Sequence, residues 1–488
     1  MERWLFSSIF GAVTLALSCS SVEAPPATNS SGDPPPDGGP PTDAGGPADP
    51  APGTALPKDP QREGDPAAGY TALVNNGYVS CGVPYSAYSK VYGPAAPELK
   101  LPGRTGKNQD LPYYYTAYTT ASGVEVVSTN CLVCHAGFIN GELVVGLGAA
   151  DGNFTSDPTS QAQAAGFLIS DPAEKAEWSK WVSRVKAVGP YTTTLTVGAN
   201  PADNLAAVLF AHRDRETLAW SDQPLMDLPP KEVIPVDVPP WWRMAKKNAM
   251  FYTGGGRGDH ARIMMTASTL CTDSVAEAEA IDTYFPDVAA YIGSIKPPKY
   301  PFPVDQALAD KGKPIFEQTC AKCHGTYGEG GSYPNLLIAA DDVGTDSLLL
   351  LGSSQFAEIY VKWFNESFYG KVSKLEPQDG YVAPPLDGIW ATAPYLHNGS
   401  VPTIAALLES GTRPKFWTRS FESTDFDPAA VGWKFTSLAA GQDAEPTASK
   451  RILIYDTTKP GYGNGGHVFG DALSPADRSA VIEYLKTL

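Results

Sequence analysis

The sequence predicts a mainly helical protein of two domains, the first carrying large irregular and β-like insertions, behind a disordered Pro/Gly-rich linker. Three observations predict it. Residues 19–66 are dominated by Pro, Gly, Asp, Ala and Ser, with runs such as Pro34-Pro35-Pro36, and such a segment buries too little apolar surface to fold. Subtracting it from 488 residues, of which 42% are hydrophobic, leaves about 420, room for two domains of unequal size. A Pro-rich crossing, Lys296-Pro297-Pro298-Lys299-Tyr300-Pro301-Phe302-Pro303, is the natural boundary, giving domains at 67–300 and 301–488.

At the N-terminus, Met1-Glu2-Arg3-Trp4 leads into an apolar stretch from Leu5 to Leu17, the length of a secretory core and too short to span a bilayer. It ends in Leu15-Ala16-Leu17-Ser18-Cys19, which resembles a bacterial lipoprotein box. Residues 1–18 are therefore expected to be a signal peptide and Cys19 a lipid anchor, with an ordinary cleaved signal as the alternative. Residues 19–66 would then tether a globular body at a distance from a membrane. The expected location is outside the cytoplasm, either lipid-anchored to the outer membrane facing periplasm or cell surface, or secreted. No apolar run reaches the roughly 18 residues of a membrane span, so the membrane enters only through that lipid. A net charge of −17 excludes a protein that tracks nucleic-acid phosphates.

Two pentapeptides carry the chemistry: Cys131-Leu132-Val133-Cys134-His135 and Cys320-Ala321-Lys322-Cys323-His324. Both are C-x-x-C-H, the signature of covalent c-type haem attachment. Two thiols one helical turn apart add to the two vinyl groups of a porphyrin, and the adjacent imidazole ligates the iron. A thioredoxin-like pair has no need of the histidine, and a zinc site wants a second ligand pair nearby. The second motif follows a helical pattern (Leu308, Ile315, Phe316), and the chain closes on Ser474-Pro475-Ala476-Asp477, a capped helix start followed by Val481, Ile482, Leu485 and Leu488. Two helices across one haem make a c-type cytochrome domain. The first motif follows a Tyr- and Thr-rich, partly β-like stretch from Tyr113 to Val127, and its closing helix is expected from about Ser274 to Ile295. Cys81 and Cys271 remain, expected either to pair in an oxidising compartment or to stay as buried thiols.

Asp387-Gly388-Ile389-Trp390-Ala391-Thr392-Ala393-Pro394-Tyr395-Leu396-His397-Asn398-Gly399-Ser400 resembles the signature loop of the dihaem cytochrome c peroxidase superfamily, which includes tryptophan-modifying enzymes of methylamine metabolism and the haem-dependent rubber oxygenases. The resemblance runs from about Tyr70 to Leu488. It implies two covalently bound haem c groups. Where the peroxidases carry a distal methionine, Tyr462-Gly463-Asn464-Gly465-Gly466-His467 carries His467, as the rubber oxygenases do, and imidazole in place of thioether lowers the potential of that haem. The pattern Trp241-Trp242-Arg243 through Lys247-Asn248-Ala249-Met250-Phe251-Tyr252 to Gly256-Arg257-Gly258-Asp259-His260 also looks like theirs. The resemblance places His397 around the second haem, in its second sphere rather than on its iron, and implies an optional calcium ion held by the backbone carbonyls of Thr392 and Pro394.

No sixth ligand follows the first motif closely, which leaves an open iron position for dioxygen or hydrogen peroxide. Trp241, Trp242, Phe251, Arg257 and His260 are the candidates for its distal face, and each aromatic has core packing as its competing role. His212, among Arg213, Asp214, Arg215 and Glu216, reads as a solvated helix position. Trp241, Trp242 and Trp390 are candidates to relay electrons. The expected function is a rubber-oxygenase-like dioxygenase acting on an apolar olefinic substrate. The alternatives are a dihaem peroxidase served by a small redox-protein donor, in which His260 moves a proton, and an electron carrier with Met244, Met250, Met264, Met265 or His260 on the first iron.

Overall fold

Two helix crossings organise the chain, and each is made possible by a glycine. The computed structural model describes residues 53–355 and 357–488. Helix α1 (Pro66–Asn75) starts on Asp65, whose carboxylate accepts the amides of Ala67 and Ala68. It crosses α2 (Phe285–Ser294) at Gly69, where a Cβ would lie 1.9 Å from the Asp287 carbonyl oxygen. Helix α3 (Gln306–Thr319), capped by Asp305, crosses α4 (Pro475–Leu485), capped by Ser474, at Gly312, where a Cβ would lie 1.9 Å from the Ala480 carbonyl oxygen.

The neighbours of the two crossings repeat. Leu73 and Phe316, four residues after each glycine, are sealed from solvent, as are Val288 and Val481, one residue after each contacted carbonyl. Tyr291 packs on Tyr70 at 5.2 Å between ring centroids, and Tyr484 on Phe316 at 5.3 Å. In the second half the C-x-x-C-H follows α3 at once; in the first a long insertion separates it from α1. The expected single closing helix from Ser274 to Ile295 is two helices, Val275–Asp282 and α2. The break falls where Pro286, lacking an amide, can enter a helix only in its first turn.

Strands are spread over six small sheets of two or three strands among the described residues, so the architecture is mixed rather than mainly helical. The Tyr- and Thr-rich stretch forms two antiparallel strands, Tyr115–Thr119 and Glu125–Thr129, with Tyr115 opposite Thr129 and Tyr118 opposite Val126. Cys81 and Cys271 form a disulfide that ties the start of the insertion to the segment before Val275–Asp282.

Residues 53–66, expected to belong to the tether, are folded against the body of the protein. Thr54–Ala55 pairs with Leu336–Ala339, and the Leu56 amide donates to the Asn335 carbonyl. Asp59 pairs with Arg257, Gln61 bonds Gly258 and His260, and Arg62 bridges Asp259 and Asp282. Paired charges and a sheet edge hold a strap whose composition is poor in apolar surface. The expected signal peptide, Cys19 and the tether through residue 52 lie outside the described residues.

The Pro-rich crossing at 296–303 is packed rather than free. Tyr300 stands edge-on to Trp390 at 5.3 Å, Phe302 stacks on Phe426 at 5.8 Å, and Trp242 of the first half sits in the same apolar core. Residues 52–488 accordingly form one compact unit. Among the described residues no helix is long and apolar enough to cross a membrane.

Candidate haem sites

Cys320 ends α3, and the chain continues as a short helix, Ala321–His324, stopped by Gly325 at φ +80°. That turn places Cys320, Cys323 and His324 on one side. Nδ1 of His324 lies 2.8 Å from the Pro384 carbonyl, which fixes the proton there and leaves the Nε2 lone pair free for a metal. The His467 ring faces it, with centroids 6.1 Å apart. Two imidazoles whose nitrogens each sit about 2 Å from one ion have ring centres about 6 Å apart, so the pair fits an iron between them. His467 occupies φ +47°. Its amide donates to the Val343 carbonyl at 2.7 Å, and the Arg413 guanidinium donates to the carbonyls of Asn464, Gly466 and His467 at 2.8, 2.6 and 3.0 Å. Burial, then His324 and Arg413, push the His467 imidazole down to about 4, so it is in the neutral, ligating form.

The first motif turns through Cys131–Val133. Asn130 caps it, accepting the Leu132 amide at 2.9 Å and donating to the Tyr113 carbonyl at 2.9 Å. The Cys131 amide donates to the Tyr78 hydroxyl at 2.6 Å, and Asn200 Nδ2 lies 3.3 Å from Cys134 Sγ. The His135 ring stacks on Trp241 at 4.8 Å and 21°, and burial, partly offset by a backbone hydrogen bond at Pro239, pushes it down to about 4. None of the four motif thiols is in a disulfide, while Cys81 and Cys271 are bonded to each other. Both motifs therefore present the two thiols and the free imidazole that haem c requires. Among the described residues, no second imidazole faces His135 as His467 faces His324.

Residues 241–243 join the two surroundings. Trp241 lies against His135, while Trp242 donates from Nε1 to the Asp387 carbonyl at 2.8 Å. Arg243, buried, donates to the same carbonyl at 3.2 Å and to Thr392 Oγ1 at 3.3 Å. Trp390 packs in the second-half core. His397 stacks on Tyr381 at 4.4 Å, with the tyrosine hydroxyl 3.4 Å from Nε2, and burial pushes it down to about 4. Its ring partners are Tyr381 and Tyr252, so it sits beside a site and not across from either motif histidine. The His397 carbonyl accepts the Asp237 amide at 2.7 Å. Burial raises the Asp237 carboxyl to about 7, against the Tyr252 hydroxyl that donates to it at 2.9 Å and the charges of Arg243 and Arg419.

The remaining expected site residues have varied surroundings. Arg257 donates to Asp59 and to the Pro57 carbonyl, pinning the strap. Phe251 is 42% exposed, at a turn with φ +68°. His212 is buried, not solvated: it caps the helix Ala202–Ala211, stacks on Trp220 at 5.0 Å and bonds the Ser221 carbonyl, because the following loop folds back over it. Among the described residues no group of three histidine, cysteine or acidic side chains is placed to hold a metal ion, and the Arg243 guanidinium donates to Thr392 Oγ1. His260 is only 7% exposed, starts the helix His260–Met264, and holds Nε2 buried without a partner. Burial, then the Lys247 charge, push it down to about 4. Of the methionines, Met265 is sealed in the first-half core and Met244, Met250 and Met264 pack around it. The sequence reading missed the supporting roles of Arg413, which reaches carbonyls at 464–467, and of Asp237, whose amide donates to the His397 carbonyl.

Residues 380–418 match the family described as RoxA-like, cytochrome c-like. The uncharacterized protein y4iM of Sinorhizobium fredii is 27% identical over 315 residues, 57% of this chain and 69% of its own length. The uncharacterized protein y4iJ of the same organism is 30% identical over 290 residues, 46% of each chain. Cytochrome c-555 of Methylococcus capsulatus is 37% identical over 78 residues, 16% of this chain and 57% of its own length. The likeness is to RoxA-like and other c-type cytochromes, and it implies covalently bound haem c.

Proposed function

We propose that the protein is an exported dihaem c-type oxidoreductase that acts as a dioxygenase on an apolar olefin. In this reading the first motif holds the reactive haem and the second, with His324 and His467, the electron-handling one. Haem c when bound supplies one-electron and oxygen chemistry. The observation that carries the reading is the asymmetry of the two motifs: His467 faces His324 at 6.1 Å, whereas His135 has Trp241 as its ring partner and, among the described residues, no imidazole opposite. Two six-coordinate carriers would need no such difference. Support for the oxygenase branch comes from the RoxA-like match at 380–418.

In the net reaction dioxygen adds across a carbon–carbon double bond and leaves two carbonyl groups. Both oxygen atoms end in product, so no external reductant is consumed. Trp241 holds the His135 ring by stacking, and Trp242 and Arg243, next in the chain, fix that segment to the loop at Asp387. Export belongs to the same proposal, since c-type haem is attached outside the cytoplasm, and Cys19 would supply the lipid anchor.

A second reading, a peroxidase served by a small redox protein, is favoured by His260. A buried, neutral imidazole with a free Nε2 is a base able to move a proton between peroxide oxygens. One experiment separates them: the haem-loaded protein is incubated in air with polyisoprene or an unsaturated fatty acid, with catalase and no reductant. Carbonyl cleavage products are expected. No product, with rapid peroxide-dependent oxidation of a reduced cytochrome in a parallel cuvette, would replace the oxygenase by the peroxidase.

A further inference from the structure

We propose that a ladder of tyrosine rings, running from the first C-x-x-C-H turn to the surface at Tyr92, carries oxidising equivalents away from that site when they fail to reach substrate. The inference rests on the reading of the first site as one that meets peroxide or dioxygen. Its inner end is tied to the motif. The carbonyls of Tyr113 and Tyr114 accept Nδ2 and the amide of Asn130 at 2.9 and 3.1 Å, and Asn130 caps the turn that begins at Cys131. The Tyr113 ring also meets Phe138, three residues past His135, at 6.2 Å.

From Tyr113 the ring centroids step outward by 4.9 Å to Tyr114, 4.8 Å to Tyr115, 5.8 Å to Tyr88 and 5.0 Å to Tyr92. Each step is within the contact range of aromatic pairs. Tyr113, Tyr114 and Tyr88 are buried and Tyr92 is half-buried, so the series crosses from core to surface. Tyr85 branches from Tyr88 at 6.3 Å, but the Lys107 ammonium stands 4.4 Å over its ring, and a positive charge there opposes removal of an electron.

Packing alone does not account for this choice of residue. Phenylalanine fills nearly the same volume with no hydroxyl to satisfy on burial. A phenol, unlike a phenyl ring, can give up an electron and a proton together. Burial holds Tyr88 and Tyr115 as neutral phenols, so proton and electron leave together at each step. The oxidant is hydrogen peroxide. One peroxide takes two electrons and two protons from two phenols, giving two waters and two phenoxyl radicals. At the surface two Tyr92 radicals from separate molecules join ring carbon to ring carbon as dityrosine.

The test treats the haem-loaded protein with hydrogen peroxide and no substrate, and follows the haem spectrum, the tyrosyl radical signal in electron paramagnetic resonance, and cross-linked peptides by mass spectrometry. A tyrosyl signal and a Tyr92 cross-link are expected. Tyr88→Phe keeps the ring but cannot be oxidised, and should abolish the Tyr92 cross-link while the haem still responds to peroxide; Tyr115→Phe should act alike. Tyr291→Phe, outside the ladder, should change nothing. A Tyr92 cross-link that survives both ladder variants overturns the proposal, as does a haem that reacts without modifying Tyr92. A haem spectrum indifferent to peroxide and to dioxygen would refute the reading of the first site, and the ladder with it.

Discussion

His467 holds a conformation that few side chains adopt, since φ +47° brings Cβ close to its own carbonyl at a cost of about 1–2 kcal/mol. Arg413 offsets that cost by gathering the carbonyls of Asn464, Gly466 and His467 onto one guanidinium, and Gly466 lets the loop approach Gly344, where a Cβ would meet backbone at 2.2 Å. A lysine has one point charge and no fork, so it cannot replace this support. In the proposed second site, His467→Met exchanges imidazole for thioether and should raise the potential of that haem by on the order of 0.1 V, within the range axial ligands command. Potentiometric titration of the haem-loaded variant reads it. An unchanged midpoint would remove His467 as the ligand. His467 was singled out because it stands where the resemblance puts a distal ligand, and its ring lies 6.1 Å from that of His324. Arg413 was not, because nothing local marks an arginine that will meet carbonyls 51 to 54 residues downstream.

At the scale of elements, the two crossings show what a sequence discloses and what it withholds. The helix start at Ser474 is local, a capping side chain and, at Pro475, a fixed φ, and it was readable; the Asp305 cap, equally local, was passed over in favour of the apolar spacing of Leu308, Ile315 and Phe316. The roles of Gly69 and Gly312 were not readable, since a glycine in a helix looks like a weakness until the partner backbone is seen against it. Gly312→Ala would place Cβ 1.9 Å from the Ala480 oxygen and 2.4 Å from its carbon, atoms of a helix that cannot swing aside. Overpacking of this kind costs about 1–3 kcal/mol. Thermal unfolding of Gly312→Ala should therefore start below that of wild type, and Gly69→Ala should behave alike. Gly293→Ala, with nothing within 4 Å of its Cβ, is the control expected to be neutral or stabilising. Equal transitions for Gly312→Ala and Gly293→Ala would mean the crossings tolerate separation. The strap at 53–65 was missed for a related reason: Asp59, Gln61 and Arg62 find partners some 200 residues away, and composition alone reads them as tether.

For the molecule as a whole, buried titratable groups outside the motifs set opposing demands on pH. His260 and His397 are pushed from 6.5 to about 4, both chiefly by burial. The unfolded chain therefore binds more protons than the folded one between pH 4 and 6.5, and stability rises with pH there, by about 3 kcal/mol for each histidine. Asp237 runs the other way. Burial raises its carboxyl from 3.8 to about 7, so the folded state binds the extra proton, and stability falls as pH rises from 3.8 to 7. Of these three groups, two histidines against one carboxyl leave a net gain up to about pH 6.5 and a shallow loss to about 7, while Lys247, which burial and then the Arg243 charge push down to about 8, adds stability as pH rises above 8. Asp259, Asp273 and Asp282, in which arginine or lysine partners outweigh the effect of burial, stay below 3.8 and act only at lower pH. Asp237→Asn still accepts the Tyr252 hydroxyl but cannot ionise. The midpoint of thermal unfolding of this variant, followed on the haem-loaded protein from pH 4.5 to 8, should climb more steeply than wild type to pH 6.5 and lose the shallow descent. Parallel curves for the two proteins would mean that Asp237 titrates alike folded and unfolded, and that the segment carrying it, between the Asn200 strand bridge and Trp241, is open to water.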